Sequence, residues 1–439
     1  MTAYAVGELS PFDVVDDLFG RIDVVDRRLH AFLAVDPDGA RVEARRAEAI
    51  WRRHGPDTPV HHPLCGVPVS VKDTIEIAGM PTTYGSVAFA EHRTMDSEIG
   101  RRLRAAGAIV VGKTNTSEFA LSTYTVNRLG PPTANPWNTA HTAGGSSGGA
   151  GAAVAAGLGP IGIGTDSAGS IRIPAAFNGV VGFKPTFDAI PAVQRWRASP
   201  TRSHNGVLTR TVADATLAFE VLAGRTVRPG QDLSGLTVGV LGDDIDGVVE
   251  RAVDTLAGRG LRLVSLQPPP VADIPVELEP GVWAYSSDHY AAAEGLRPGF
   301  WEHHADDLTS YARPIYDAGR RAKAWQYRRV LDRTQDYARS IERWLAGVDL
   351  VVSPVAPEAP AQPADDVAAG LGPRYPLVSM WNLSGHPAAS VPMGAGPDGL
   401  PVGVQIIGRR GHDGHVLTAA GHLEQAMPWT DRWPHLPLS

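Results

Sequence analysis

The stretch "AGGSSGGAGAAVAAG", residues 143–157, sets two adjacent serines between glycine pairs and then runs directly into alanines. Taken alone it reads as a phosphate cradle, a flexible linker or part of a catalytic centre, and its neighbours decide among these. From about Gly148 to Ala156 the composition is helical, "GPIGIGT" (159–165) reads as a strand, and "VVGFKPT" (180–186) as another. Upstream, "CGVPVSVKDT" (65–74) is a short β-branched run ending at Lys72 and Asp73, and "SEIGRRLRAAG" (97–107) is an amphipathic helix with Ser97 as its cap. "AIVVGKTN" (108–115) follows as a strand. Helix and strand alternate, which predicts an α/β sheet with helices on both faces.

The remainder extends that pattern. Residues 11 to 54 carry helical periodicity and predict N-terminal helices, spanning 1–60, over the sheet. A helix is expected from Thr211 to Ala223, then the strand "LTVGVLG" and the helix "GVVERAVDTLAGRGL". Residues 266–348 differ, proline-rich at first and then helical, with Trp283, Tyr285, Tyr290, Trp301, Tyr311, Tyr316, Trp325 and Tyr327. They read as an inserted helical cap over the site or as plain core. The sheet pattern returns over 349–426 with "DLVVSPV", "HPAASVPMG", "LPVGVQIIG" and a last helix. At 439 residues, one large domain with an insertion is expected.

Composition narrows the function. Hydrophobic residues make up 43 % and charged residues 20 %, and the net charge is −7. No basic stripe points to nucleic acid or an anionic membrane, so a small-molecule substrate is expected. The N-terminus has neither a basic leader nor an apolar h-region, and no run is long enough to span a bilayer, so a cytoplasmic location is expected. Cys65 is the single cysteine and reads as a core residue; paired histidines at 61–62 and 303–304 lack metal-ligand spacing and read as surface. No metal or cofactor is expected. Of 40 basic residues only four are lysines, Lys72, Lys113, Lys184 and Lys323. Lysine can give up its proton and arginine cannot, so a chain that nearly avoids lysine keeps one where a base is needed, unless codon bias alone explains the survivors.

Two motifs mislead. "GAIVVGKT" (107–114) matches a phosphate-binding loop by letter, but a helix precedes Gly107 and the intervening residues are themselves a strand, leaving no loop to wrap a phosphate. "GGSSG" matches a nucleophile elbow centred on Ser146, yet the preceding "PTANPWNTAHTA" (132–143) is coil where an elbow needs a strand. A different relation is more informative. Between Ser146 and Ser170 lie a helix of about ten residues, rising roughly 15 Å, and a strand of about five, rising roughly 16 Å. Run antiparallel, these displacements cancel and return Ser170 to the level of Ser146. Lys72 ends another predicted strand, where α/β proteins collect site residues.

The blocks "GVPVSVKD" (66–73), the unbroken run from Ala143 to Thr186, "NLSGHPAASVPMG" (382–394) and "GLPVGVQIIGRR" (399–410) resemble the amidase signature family closely. The resemblance is strong over 64–222, weaker over 349–426 and nearly absent between about 224 and 348. It implies a large mixed β-sheet core covered by helices on both faces and a Lys72, Ser146, Ser170 catalytic triad, with a cis peptide bond between Gly145 and Ser146. A serine hydroxyl is a poor nucleophile until a base takes its proton, and no histidine lies within these motifs. The base is then Lys72, neutral only if burial lowers it from about 10.4. Lys113 and Lys184 are assigned structural or surface roles.

The resemblance further implies an oxyanion hole from the backbone of Ser167, Ala168, Gly169 and Ser170, where Ala168 departs from the commoner Asp-x-Gly-Gly-Ser. Asp166 and Arg172 flank the nucleophile, to pair or brace the loop, or with Arg172 binding a substrate carboxylate; Ser147 is expected to hydrogen-bond within the triad's surroundings. Leu121, Ser122 and Tyr124 are expected in the substrate pocket. The functions implied are a stand-alone amidase on a small amide, a glutaminase subunit of an amidotransferase complex, an esterase or acyltransferase using the same triad, or a non-catalytic relative. The assembly is left open, a homodimer included.

Overall fold

The computed structural model describes residues 1–191, 196, 198–227, 230–267 and 283–436. The strands are β1 (Phe32–Val35), β2 (Pro68–Lys72), β3 (Ile109–Thr114), β4 (Ile161–Asp166), β5 (Val181–Lys184), β6 (His204–Thr209), β7 (Thr237–Val240), β8 (Arg262–Ser265), β9 (Leu350–Pro354), β10 (Ala388–Ala395) and β11 (Pro401–Gly408). They form one sheet in the order β1-β3-β2-β4-β6-β5-β10-β11-β9-β7-β8. β3, β2 and β4 run parallel, as do β9, β7 and β8, while every pairing between β4 and β9 is antiparallel. The sheet is therefore mixed, as the resemblance implied.

Alternation along the central strands splits the core. Val69, Val71, Ile161, Ile163 and Val207 pack with Ile99, Leu103, Ala215 and Phe219 on one face, from the helices Glu98–Ala105 and Val212–Ala223. On the other, Leu208 packs with Ala150, Val154, Ile171 and Ala175, from Gly148–Ala155 and Arg172–Asn178. Helices thus cover both faces. The Gly148–Ala155 helix is buried throughout, and small residues let it lie directly on its neighbours: a Cβ at Gly149 would sit 2.5 Å from the Asn115 amide nitrogen, and one at Gly164 of β4 would sit 2.9 Å from Ser147 Oγ.

Three strands escaped the sequence reading. β1 lies inside the expected 1–60 helical segment, as four apolar residues between the helices Pro11–Leu29 and Pro37–His54, too short to show alternation, and it pairs with β3 at the sheet edge. β6, "HNGVLT", begins with polar residues, and β8 is exposed along its length. Of the 266–348 insertion, 268–282 lie outside the described residues, as do the side chains of Trp283 and Tyr285. The remainder is helical: Trp283–Leu296, Phe300–His304, Ala312–Arg321 and Ala324–Trp344. Tyr311 and Tyr316 join Phe300, Phe119, Trp196 and Tyr84 in a buried aromatic cluster, whereas Trp325 is exposed. Cys65 is buried against Trp51 and Ala47.

Candidate active site

Lys72 is the last residue of β2, and burial gives its amine no water to bond. Its Nζ meets three hydroxyl oxygens: Ser146 Oγ at 2.6 Å, Ser147 Oγ at 3.0 Å and Thr165 Oγ1 at 2.9 Å. Lys72, Ser146 and Ser147 are 0 % exposed. Burial lowers the amine from 10.5 to about 7, against an opposing pull from the Asp166 carboxylate. A neutral amine has two N–H groups and one lone pair, so one of the three hydroxyls must donate to it. Ser147 is already committed, its hydroxyl donating to the Thr165 carbonyl at 3.1 Å. Ser146, the shortest contact, is placed to donate. The peptide bond before it, Gly145–Ser146, is cis.

Ser170 follows β4 and keeps 8 % exposure. Its carbonyl accepts the Ser147 N–H at 3.1 Å, so the antiparallel return of helix and strand does bring the two serine segments together. Among the described residues no hydrogen bond joins Ser170 Oγ to Ser146 Oγ. Between β4 and Ser170, the N–H groups of Ser167 and Ala168 find no described acceptor, while the Gly169 N–H donates to Asp166 Oδ1 at 2.6 Å. Gly169 is thereby occupied in bracing the loop, a correction to its expected place in the oxyanion hole. Gly169 adopts φ 114°, a region that favours glycine, and Ala168 does not need a positive φ. The Ala168 substitution therefore falls where the backbone tolerates a side chain.

Asp166 and Arg172 are both fully buried and pair at 3.0 Å. Arg172 also donates to the Val378 carbonyl, Gln405 Oε1 and Asn382 Oδ1, which leaves no free edge for a substrate carboxylate and removes that alternative. Burial works to raise Asp166, but Arg172, Lys184 and Asn382 hold its carboxyl well below the usual range. Lys113 and Lys184 are fully buried, so neither is a surface residue. Lys113 pairs with Asp73 at 3.1 Å, and Lys184 donates to the His386 carbonyl. Among the described residues no cluster of three His, Cys, Asp or Glu side chains could hold a metal ion, and no helix is long and apolar enough to cross a membrane.

A cavity of about 390 Å³ opens beside this centre, reaching Thr165 and Ser167 and walled by Phe119, Phe187, Trp196 and His289. The expected pocket residues Leu121, Ser122 and Tyr124 do not line it; Phe119 and Ala120 do. The turn carrying Ser122 is folded on itself, with Ser122 Oγ accepting the Tyr124 N–H at 3.1 Å. Its backbone lies where a Cβ of Gly145 would be, 2.8 Å from the Tyr124 carbonyl carbon. These residues therefore brace the Gly145–Ser146 bond. Sequence reasoning missed Thr165, although it directly precedes Asp166 in the quoted block, and Asn382 and Gln405, which close the Arg172 cluster from blocks over 200 residues away.

Comparison with known proteins agrees with this architecture. The Amidase family pattern matches residues 13–417. AmiB2 of Mycobacterium tuberculosis is 34 % identical, covering 98 % of this chain and 96 % of its own. A glutamyl-tRNA(Gln) amidotransferase subunit of Streptomyces coelicolor is 33 % identical, covering 98 % and 95 %. Among solved structures, a bacterial aryl acylamidase of the amidase signature enzymes superposes with a TM-score of 0.85 at 27 % identity over 97 % of this chain and 95 % of that one. The peptide amidase of Stenotrophomonas maltophilia superposes with a TM-score of 0.83 at 29 % identity over 99 % and 97 %. On the family match and these relatives, the chain belongs to the Amidase family and is an enzyme that hydrolyses amide C–N bonds.

Proposed function

We propose that the chain is a stand-alone amidase that hydrolyses a small, uncharged amide through a Ser170 acyl-enzyme. Neutral Lys72 takes the proton of Ser146, Ser146 takes that of Ser170, and Ser170 Oγ attacks the carbonyl carbon. The N–H groups of Ser167, Ala168 and Ser170 face the oxyanion that forms. When the C–N bond breaks, the proton returns along the same relay to the departing nitrogen; water, deprotonated in the same way, then releases the acid. The single observation that carries this reading is the 2.6 Å contact between a buried lysine amine and Ser146 Oγ, in surroundings that lower the amine to about 7. The relay needs a Ser146–Ser170 hydrogen bond, and catalytic hydrogen bonds commonly tighten only with substrate bound.

The glutaminase reading is the weaker one. Glutamine carries an α-carboxylate, and among the described residues no arginine or lysine lines the cavity. His289 on its wall is pushed down to about 3 by burial and stays neutral, and Asp188 at the rim adds negative charge. The test compares Lys72→Ala, Ser146→Ala and Ser170→Ala on simple amides and on glutamine, with labelling by a fluorophosphonate. Ser170→Ala is expected to lose turnover by at least about a thousandfold, together with all labelling. Near-wild-type turnover in Ser170→Ala overturns the assignment, and activity confined to glutamine favours the amidotransferase reading.

A further inference from the structure

Register pairs Thr165 of β4 with Asn205 of β6, so the two side chains stand side by side on one face of the sheet, with Cβ atoms about 5 Å apart. Thr165 Oγ1 holds the Lys72 amine at 2.9 Å. Asn205 is therefore one side chain from the proposed base, and both residues line the 390 Å³ cavity. Asn205 is 4 % exposed, and its Nδ2 has no hydrogen-bond partner among the described residues. Two more groups on the same cavity wall share that condition, Thr74 Oγ1 and Ser199 Oγ, each on a residue 2 % exposed. Buried polar groups in folded proteins are almost always paired, and an orphan is costly. Among the described residues, three such groups belong to residues that line the cavity beside the reacting centre.

The rest of the wall describes that molecule. Phe187 and Trp196 offer flat apolar surface, His289 is neutral, and no described lysine or arginine lines the cavity. Resting on the amidase reading above, we infer that Asn205, with Thr74 and Ser199, reads the acyl part of the substrate. The substrate class is an uncharged amide whose planar acyl group carries a second, neutral hydrogen-bonding atom such as a ring nitrogen, carbonyl or hydroxyl. The probes below are primary amides, whose leaving group is ammonia, so only their acyl part can fill the cavity. Such a site discriminates strongly, because an analogue lacking the polar atom leaves the buried groups unpaired again.

The probes are benzamide and the three pyridinecarboxamide isomers at pH 8, where both Lys72 and the pyridine ring are neutral. kcat/KM is measured together with protection of Ser170 from a fluorophosphonate, so slowly hydrolysed amides still report binding. At least one pyridinecarboxamide is expected to exceed benzamide tenfold or more in both readouts. Asn205→Leu should bring that ratio to within threefold of one, and Thr74→Val, nearly isosteric, should lower it if the Leu variant does not fold. Equal treatment of benzamide and all three isomers by the wild type, or an unchanged ratio in both variants, overturns the inference alone. Failure to label Ser170 or to hydrolyse any amide overturns the amidase reading, and this inference with it.

Discussion

Replacing Lys72 with Met tests the protonation state on which the chemistry depends. Lys72 is fully buried, and burial lowers its amine from 10.5 to about 7. Unfolding returns it to 10.5. Between these values the unfolded chain binds a proton that the folded chain does not, so the contribution of Lys72 to stability rises with pH across that window. It is fully present above 10.5 and lost progressively as pH falls to about 7. At 1.36 kcal/mol per pH unit the full window is worth about 5 kcal/mol, of which about 2 kcal/mol falls between pH 7 and 9. Met has similar bulk and no charge, so the wild-type minus Lys72→Met difference in unfolding free energy should grow by about 2 kcal/mol over that range. Urea unfolding at pH 7, 8 and 9 measures it. In parallel, wild-type kcat/KM for a small amide should fall tenfold per pH unit below about 7, as the amine protonates. A stability difference that does not change with pH, or a kcat/KM flat from pH 8 to 5.5, would refute the neutral-lysine argument.

The other buried lysine pair and the small-residue helix supply two further tests. Lys113→Met strands the Asp73 carboxylate in the interior and should cost about 3–5 kcal/mol, whereas Lys113→Met with Asp73→Leu should cost clearly less than the two single changes added together; additive losses in thermal or urea unfolding would mean that the 3.1 Å pair carries no coupling. Gly149→Ala pushes a Cβ to 2.5 Å from the Asn115 amide nitrogen, backbone that cannot swing aside, and should cost at least about 1–3 kcal/mol. A melting temperature unchanged by that substitution would show that the Gly148–Ala155 helix has room to shift.

Local signals carried much of the site. The glycine-serine run is legible because its constraints are local: small residues where a helix must touch a strand, and a helix and strand whose opposite rises cancel. Lys72 was readable because it ends a short β-branched run in a chain almost free of lysine. Neighbours brought in from other strands were not. Thr165 and Asn205 acquire their roles from the β4–β6 register, and no spacing in the sequence encodes that pairing. Leu121, Ser122 and Tyr124 show the same limit: φ is positive at Phe119 and Ala120, those two residues line the cavity, and the next ones fold back on Gly145. The lone strand β1 was hidden because four residues are too few to establish a period of two.

The end of β4 also explains how a neutral amine survives beside an ionised carboxylate. Alternation sends Thr165 and Asn205 to one face, and Asp166 and His204 to the other. On that second face Asp166 receives the N–H groups of Gly169 and Ile171, two donors of Arg172 and the amide of Asn382. A carboxylate has about four lone-pair positions, so these five bonds saturate it, and the Arg172 charge balances its own. The pull that Asp166 exerts on Lys72 is therefore outweighed by burial. Without Arg172, an uncompensated carboxylate would favour the ammonium form of Lys72 and silence the base at neutral pH. The ionic cluster around Arg172 lines none of the cavity among the described residues, yet by this reasoning it is a condition for the chemistry: Ser70 pairs with Gly162, so alternation puts Lys72 on the face that Gly164 and Asp166 share, and Arg172 balances the carboxylate there.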